Sequence, residues 1–263
     1  MARREVLGIP IRSVDILGVR VDDVTMAETM AICRAFIRSS EPHRVVTPNA
    51  EFVMAAQSNA TFRRILNESS LAIPDGAGLL LASRILGTPI REQVAGTDVA
   101  SGLAALCAAE GYRIFLLGGA AGVAELAARQ LGARYPGLVV AGTYAGVAGP
   151  AADEETRAHV RAAGRIDVIL VAYGAQRQEE WLVRDQEELR IPLAIGVGGA
   201  LDFFSGRVPR APVIVRRAGF DWLFRLAVQP WRWRRQLALP YFVASVTYAA
   251  IRQRGRGDLS ESS

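Results

Sequence analysis

Apolar runs of four to six residues recur along the chain, each followed by a glycine- or proline-containing turn and then by a segment with helical spacing. "VVTPNAEFVMAAQ" (45–57) reads as a short strand, a proline turn and a helix. "LAIPDG" (71–76) is a strand end and turn, and "AGLLLASRIL" (77–86) an apolar helix. "GTDVASGLAALCAAEG" (96–111) predicts a helix capped by Thr97 or Asp98 and closed by Gly111. "YRIFLLGG" (112–119) shows no polar alternation, the mark of a strand buried on both faces. Helix, strand, helix, strand, helix and strand follow over 120–137, 138–146, 152–164, 166–174, 175–189 and 191–199. Strands alternating with helices predict an α/β fold: a Rossmann-like, mostly parallel sheet with helices on both faces.

After Gly199 the pattern changes. Residues 200–254 are rich in Arg, Trp, Phe and Tyr, and predict a helical appendage of two or three helices broken at Pro209–Pro212, Pro230 and Pro240. The organisation expected is therefore a catalytic domain over 1–199, the appendage over 200–254, and a loose tail over 255–263. No internal repeat is visible.

Composition sharpens this picture. The chain has 263 residues, 51% hydrophobic and 22% charged, which suits a packed core rather than disorder. Residues 1–204 hold 20 Arg against 23 acids, and residues 205–263 hold 11 Arg against 3 acids, so the tail is strongly basic. A basic, aromatic tail on a near-neutral body points to an anionic partner: a membrane surface, a diphosphate or a nucleic acid. Lysine is absent, which excludes a Walker A lysine and a Schiff-base lysine. Cys33 and Cys107 have no metal spacing and read as buried thiols of a cytosolic protein. The N-terminal stretch lacks the apolar core of a signal peptide, and no window reaches the ~18–20 apolar residues of a spanning helix.

In a doubly wound sheet the turns at the carboxyl ends of the strands carry ligands. Four turns stand out. "TPN" (47–49) and "PDG" (74–76) place Thr47, Asn49 and Asp75 at strand mouths. Asp75 there suits proton abstraction from a hydroxyl, and equally suits a helix N-cap. "LLGGAAGV" (116–123) brings Gly118, Gly119 and Gly122 to a helix start, where the backbone can approach a diphosphate or simply pack tightly. "YGAQRQEEW" (173–181) puts Gln176, Arg177 and Gln178 in a first helical turn, where amides can hold sugar or uracil and Arg177 can meet phosphate, or all three can be merely solvated.

The blocks "TPNAEFV", "IPDGAGLLLASRILGTPIREQVAGTD", "IFLLGGAAGVAE", "YGAQRQEEWL" and "GVGGALDFFSGRVPRAPVIVRRAGFDWLFRL" resemble, in the same order, those of the WecG/TagA/CpsF glycosyltransferases, over roughly residues 10–237. The resemblance implies inverting transfer of a sugar (N-acetylmannosamine, its uronic acid or a related hexose such as glucose) from a UDP-sugar to a polyprenyl-diphosphate-linked saccharide. Wall teichoic acid, enterobacterial common antigen and exopolysaccharide are the products. It also implies a cytoplasmic enzyme lying on the membrane, homo-oligomeric in some members. Asp75 falls on the family's proposed general base, and Thr47, Asn49 and Gln178 on positions thought to line the site. Arg225, Arg232 and Arg235 match arginines proposed to close over the diphosphate.

Two departures are visible. The family's "ERV.G" arginine is Gln93 here, and Arg91, two residues earlier, shares its face if the segment is extended. The family's "GAPKQE" is "GAQRQE". No metal or other cofactor is expected: there is no D-x-D, and "DEE" at 153–155 opens a helix, where acids favour the dipole. Trp222, Trp231, Trp233 and Tyr241 interleave with the arginines as in a helix at headgroup level, and "LALPYFVASVTYAAI" (237–251) suits monotopic insertion, a buried helix or a subunit contact. A nicotinamide-dependent oxidoreductase is the first alternative; it lacks a GxGxxG with an acid ~20 residues on. A non-catalytic anion- or nucleic-acid-binding module is the second, carried by the tail alone; nucleic acid is not the expected partner.

Overall fold

The computed structural model describes residues 2–212, 214–215, 221–230, 233 and 238–260. Six parallel strands form the central sheet: β4 (His43–Val46), β5 (Leu71–Ala72), β6 (Arg113–Gly118), β7 (Val139–Tyr144), β8 (Val168–Ala172) and β9 (Leu193–Gly196). Their spatial order is β5-β4-β9-β8-β6-β7, every pairing parallel. β8 reads VILVA with all five residues buried, which is why its polarity does not alternate.

Helices cover both faces. On one lie α1 (Met26–Ser39), α5 (Gly96–Glu110), α6 (Val123–Arg134) and α9 (Ala200–Phe204), whose Phe36, Leu103, Ala127 and Leu201 pack on Val45, Leu116, Leu170 and Ile195. The other face carries α2 (Ala50–Ser58), α3 (Ala60–Asn67), α4 (Ala77–Ile85), α7 (Pro150–Ala162) and α8 (Ala175–Leu189). Trp181 of α8 is fully buried there beside Phe115 and Ile169. The neighbours β6 and β8 therefore send their helices to opposite faces: β6 leads into α6 and β8 into α8. The turns between them diverge at the carboxyl edge, where an α/β sheet takes its ligands.

Three details differ from the sequence reading. α5 starts at Gly96 behind Ala95, with no side-chain cap; Asp98 instead pairs with Arg210 (2.8 Å), tying the segment after α9 to α5. Pro240 does not break a helix. It is the third residue of α11 (Ala238–Ser260), where its missing N–H has no intrahelical acceptor to lose. α11 also runs to Ser260, into the segment read as a loose tail, and a further helix, α10, spans Asp221–Val228.

Residues 2–22 form a separate antiparallel sheet that the sequence reading did not assign. β1 (Ala2–Val6), β2 (Ile9–Ile16) and β3 (Val19–Asp22) are joined by Leu7–Gly8 and Leu17–Gly18, all four residues at positive φ. Such two-residue turns match the twist of paired strands, though Asn-Gly is their usual signal. This sheet is fastened to the edge strand β5 by Asp22. Its fully buried carboxylate accepts from the Ala72 amide (2.8 Å), Ser13 Oγ (2.7 Å) and the Arg4 guanidinium (2.8 Å), with Arg20 Nε at 3.5 Å. β5 would otherwise present an open edge. Cys33 and Cys107 are free and buried, and burial pushes both thiols up to about 12.

Asp22→Asn leaves two guanidinium groups facing a neutral amide in a buried site. We expect a loss of about 3 kcal/mol, the scale for breaking a buried pair from one side, read as a lower urea midpoint at unchanged slope. A loss below about 1 kcal/mol, the range of exposed pairs, would remove Asp22 from this anchoring role.

Candidate active site

The carboxyl ends of β4, β5 and β9 bring five separate stretches together. β4 runs out at Val46 into Thr47, which is buried and donates through Oγ1 to the Gly196 carbonyl at the end of β9 (3.4 Å). The turn after β5 lies alongside: the Asp75 amide donates to the Pro48 carbonyl (3.0 Å), and the Val94 amide to the Pro74 carbonyl (2.8 Å). Asp75 is half-buried. It does not occupy the cap position of α4, which is Gly76 at φ +104°.

Gly96, the first residue of α5, closes the group. A methyl there would lie 2.9 Å from Thr47 Cγ2 and 3.5 Å from Asp75 Oδ2, so the absent side chain lets threonine and carboxylate approach the helix start. Asn49 stands on the far side of the Asp75 turn. Its Oδ1 accepts from the Phe52 amide (3.0 Å) and caps α2. Thr47, Asn49 and Asp75, 28 residues apart at most in the chain, are thus gathered at one strand mouth.

Gln178 joins them from α8, but not as a first-turn amide open to solvent. It is buried; its Oε1 accepts from the Gly198 amide (2.9 Å) and its Nε2 donates to Glu179 (3.0 Å). Arg177 is exposed on the same turn, and Gln176 accepts from Asn59, the cap of α3 (3.4 Å). Glu179 is the residue that sequence reading missed. It is fully buried, its carboxyl is pushed up to about 7 by burial, and its Oε2 has no hydrogen-bond partner. "QEEW" at helical spacing looks like a solvated face; only its neighbour Trp181, also fully buried, hints otherwise.

The glycine turn after β6 lies farther along the same edge. Two strands, β9 and β8, separate β6 from β4, so it stands about 14 Å from Thr47 at ~4.8 Å per strand. A methyl at Gly118 would sit 2.7 Å from the Ala172 carbonyl carbon, and one at Gly119 3.1 Å from Val123 Cγ1. Close packing on β8 and α6 therefore demands both glycines. Arg207, also unassigned by the sequence reading, donates to the Ala121 carbonyl (3.3 Å) and adds a cation to this turn.

Position 93 carries a half-buried glutamine next to Val94, hence beside the Pro74–Gly76 turn. Arg91 does not stand in for the missing arginine. Its guanidinium is held by Asp23 (3.2 Å) and Glu28 (2.6 Å), and its amide donates to Asp23 (2.8 Å). Two carboxylates from β3's end and from α1 outcompete the shared-face arrangement that alternation predicts. They border a cavity of about 620 Å³ lined by β2, α1 and the 89–91 segment rather than by Asp75. Arg225 falls on α10 with its side chain outside the description, as does that of Trp222. Arg232, Arg235 and Trp231 lie outside the described residues.

α11 borders the site from behind. Phe242 and Val246 are fully buried, and a methyl at Gly78 would lie 3.3 Å from Leu239 and 3.5 Å from Ala50. The helix therefore packs on α2 and α4, the two helices that begin at Asn49 and after Asp75. Its opposite face exposes Tyr241 (67%), Tyr248 (62%) and Ile251 (64%), with Arg252 over the Tyr248 ring. Among the described residues no helix is long and apolar enough to cross a membrane.

Comparison with known proteins identifies the family. The model of the "Glycosyl transferase WecG/TagA/CpsF family" matches residues 14–256. A Bacillus spizizenii protein named N-acetylglucosaminyldiphosphoundecaprenol N-acetyl-beta-D-mannosaminyltransferase is 31% identical over 202 residues, 77% of each chain. A Staphylococcus aureus protein of the same name is 28% identical over 238 residues, 90% of this chain and 92% of its own. The match spans the central sheet, the turns that gather Thr47, Asp75 and Gln178, and most of α11, and on that ground the chain belongs to the WecG/TagA/CpsF family of glycosyltransferases.

Proposed function

We propose that this glycosyltransferase moves an N-acetylmannosamine-like sugar from a UDP-sugar to a polyprenyl-diphosphate-linked saccharide, with inversion and with Asp75 as general base. The acceptor class is supported by the relatives' names, which specify N-acetylglucosaminyl-diphosphoundecaprenol. The observation that carries the base is the placing of Asp75: half-buried at the mouth of β5, one residue ahead of the helix cap, with Gly96 leaving space between its carboxylate and Thr47.

The chemistry follows from that position. The acceptor hydroxyl oxygen attacks the anomeric carbon as its proton passes to the Asp75 carboxylate. The bond from that carbon to the UDP oxygen breaks on the opposite side, and UDP leaves with the electron pair. The Gly118–Gly122 turn and Arg207 stand about 14 Å away along the edge, a span that suits an extended nucleotide laid across β9 and β8. Donor N–H groups and guanidinium forks would then take the developing diphosphate charge. The basic segment after residue 204 supplies further arginines for the same purpose.

The outward face of α11 supports peripheral attachment. Tyr241, Tyr248 and Ile251 form a stripe at spacings of seven and three residues, opposite the buried Phe242 and Val246. A helix with one face in the protein and an aromatic, arginine-flanked face outside suits the headgroup layer. The lipid-borne acceptor would reach the site from that side.

Radiolabel transfer from a panel of UDP-sugars to a synthetic prenyl-diphosphate N-acetylglucosamine tests the reading, and no transfer from any donor would sink it. In that assay Asp75→Asn should cut turnover by about 10²–10⁴-fold, the usual worth of a general base, with UDP binding and melting temperature near wild type. Undiminished turnover in the variant would take Asp75 out of the mechanism.

The triple change Tyr241→Glu, Tyr248→Glu, Ile251→Glu should lower co-sedimentation with anionic phospholipid vesicles by about tenfold or more, since each side chain withdrawn from the apolar layer is worth ~1.5–3 kcal/mol. Equal vesicle binding by the triple variant would show that α11 is not the attachment surface.

A further inference from the structure

Gln178 and Glu179 meet above the end of β9 at a place built to hold them. A side chain at position 196 would overlap both, so Gly196 opens the cradle. Gln178 turns its Oε1 to the Gly198 amide and its Nε2 to Glu179 Oε1. A carboxamide can be flipped, and the flipped form would set Nε2 against the Gly198 N–H, donor against donor. Glu179 holds the same form from the other end of the amide, since its Oε1 requires a donor.

The transfer step proposed above makes no use of Glu179. It is fully buried and Oε2 has no partner. Such a group is costly to keep unless its position matters. The same turn is held a second time, by Thr47 Oγ1 on the Gly196 carbonyl. Two polar side chains from β4 and α8 thus converge on the backbone of Gly196–Gly198, next to Asp75 and Gly96.

We propose that Glu179 is a positioning residue: its carboxyl orients the Gln178 amide, and through it the Gly196–Gly198 turn that forms one wall of the site beside Thr47 and Asp75. The link to sugar transfer rests on the function proposed above; the clamp itself does not. Arg44 of β4 is the charged side chain whose field reaches Glu179; no other charged group of α3, α7, β8 or β9 among the described residues contributes. Burial holds the proton on Glu179 up to about 7 in the folded state, well above the usual carboxylate value. The folded chain therefore binds more protons than the unfolded one in that window, and stability falls as pH rises towards 7. Above it, the anion accepts from the Gln178 amide more strongly than the neutral acid does, so the clamp holds on both sides of pH 7.

Amide hydrogen exchange at Gly198, measured by NMR on the full chain, tests the clamp without any substrate. Glu179→Met fills the volume but accepts no hydrogen bond. It should speed Gly198 exchange about tenfold, the loss of one hydrogen bond, without lowering the melting temperature. Glu179→Gln should restore protection. In the wild type, Gly198 exchange corrected for intrinsic base catalysis should not rise as pH passes 7, because the Glu179 anion is the stronger acceptor for Gln178. Wild-type protection in Glu179→Met, or a corrected exchange rate that rises across pH 7 in the wild type, overturns the proposal. In the transfer assay Glu179→Met should lower kcat with little change in donor KM, and Glu179→Gln should recover it; a purely space-filling role leaves kcat unmoved. A wild-type protein inert with every UDP-sugar would sink the transferase reading and leave the exchange comparison intact.

Discussion

The structure depends on how closely backbone can approach backbone at the carboxyl edge of the sheet. A parallel sheet buried on both faces must end its strands in turns that pass within van der Waals distance of their neighbours. At three of these crossings no Cβ fits without a shift: Gly118 over Ala172, Gly196 under Gln178 and Glu179, and Gly96 against Thr47. Each missing side chain is replaced by backbone or a polar group from a different strand or helix. The edge is therefore dense and polar at once, and its groups are held by packing rather than by loops free to move. The proposed transfer, in which one carboxylate meets one reacting hydroxyl, needs that rigidity.

Two carboxyl groups near this edge have opposite surroundings. Asp75 is half-buried at the strand mouth, within reach of a ligand. Glu179 is sealed beneath the turn, within reach of protein alone. A reacting base needs access. A positioning acid needs a fixed partner, which Gln178 provides. The burial that withholds Glu179 from substrate is also what raises its proton affinity.

α11 links the membrane question to the chemistry. One face of it seals α2 and α4, the helices that emerge from the Asn49 and Asp75 turns. The other face shows tyrosine and isoleucine to the outside. A helix resting in a headgroup layer by that second face would set the mouth of the site at a fixed height above the bilayer. At the same border of the sheet, Asp22 performs a further mechanical task, joining the N-terminal hairpins to β5 so that the edge strand is not left open.

The sequence alone determined the α/β class, most of the strands and helices, and the turns that hold Thr47, Asn49 and Asp75, because apolar runs and glycine or proline punctuation are local signals that survive without a fold. The N-terminal sheet escaped because its turns are Leu-Gly rather than Asn-Gly. Glu179 escaped because one acid among several on a helix carries no mark of burial; its environment comes from Gly196 and Arg44, distant in the chain. Arg91 sits at the right spacing for the site, yet Asp23 and Glu28, more than 60 residues away, claim it. Likewise Gln178 presents a solvent-facing pattern but reaches across 20 residues to Gly198. Spacing reports which side chains share a strand or helix face. Which partner a charge or amide finally takes is decided by proximity in three dimensions, where burial makes every unmet hydrogen bond expensive.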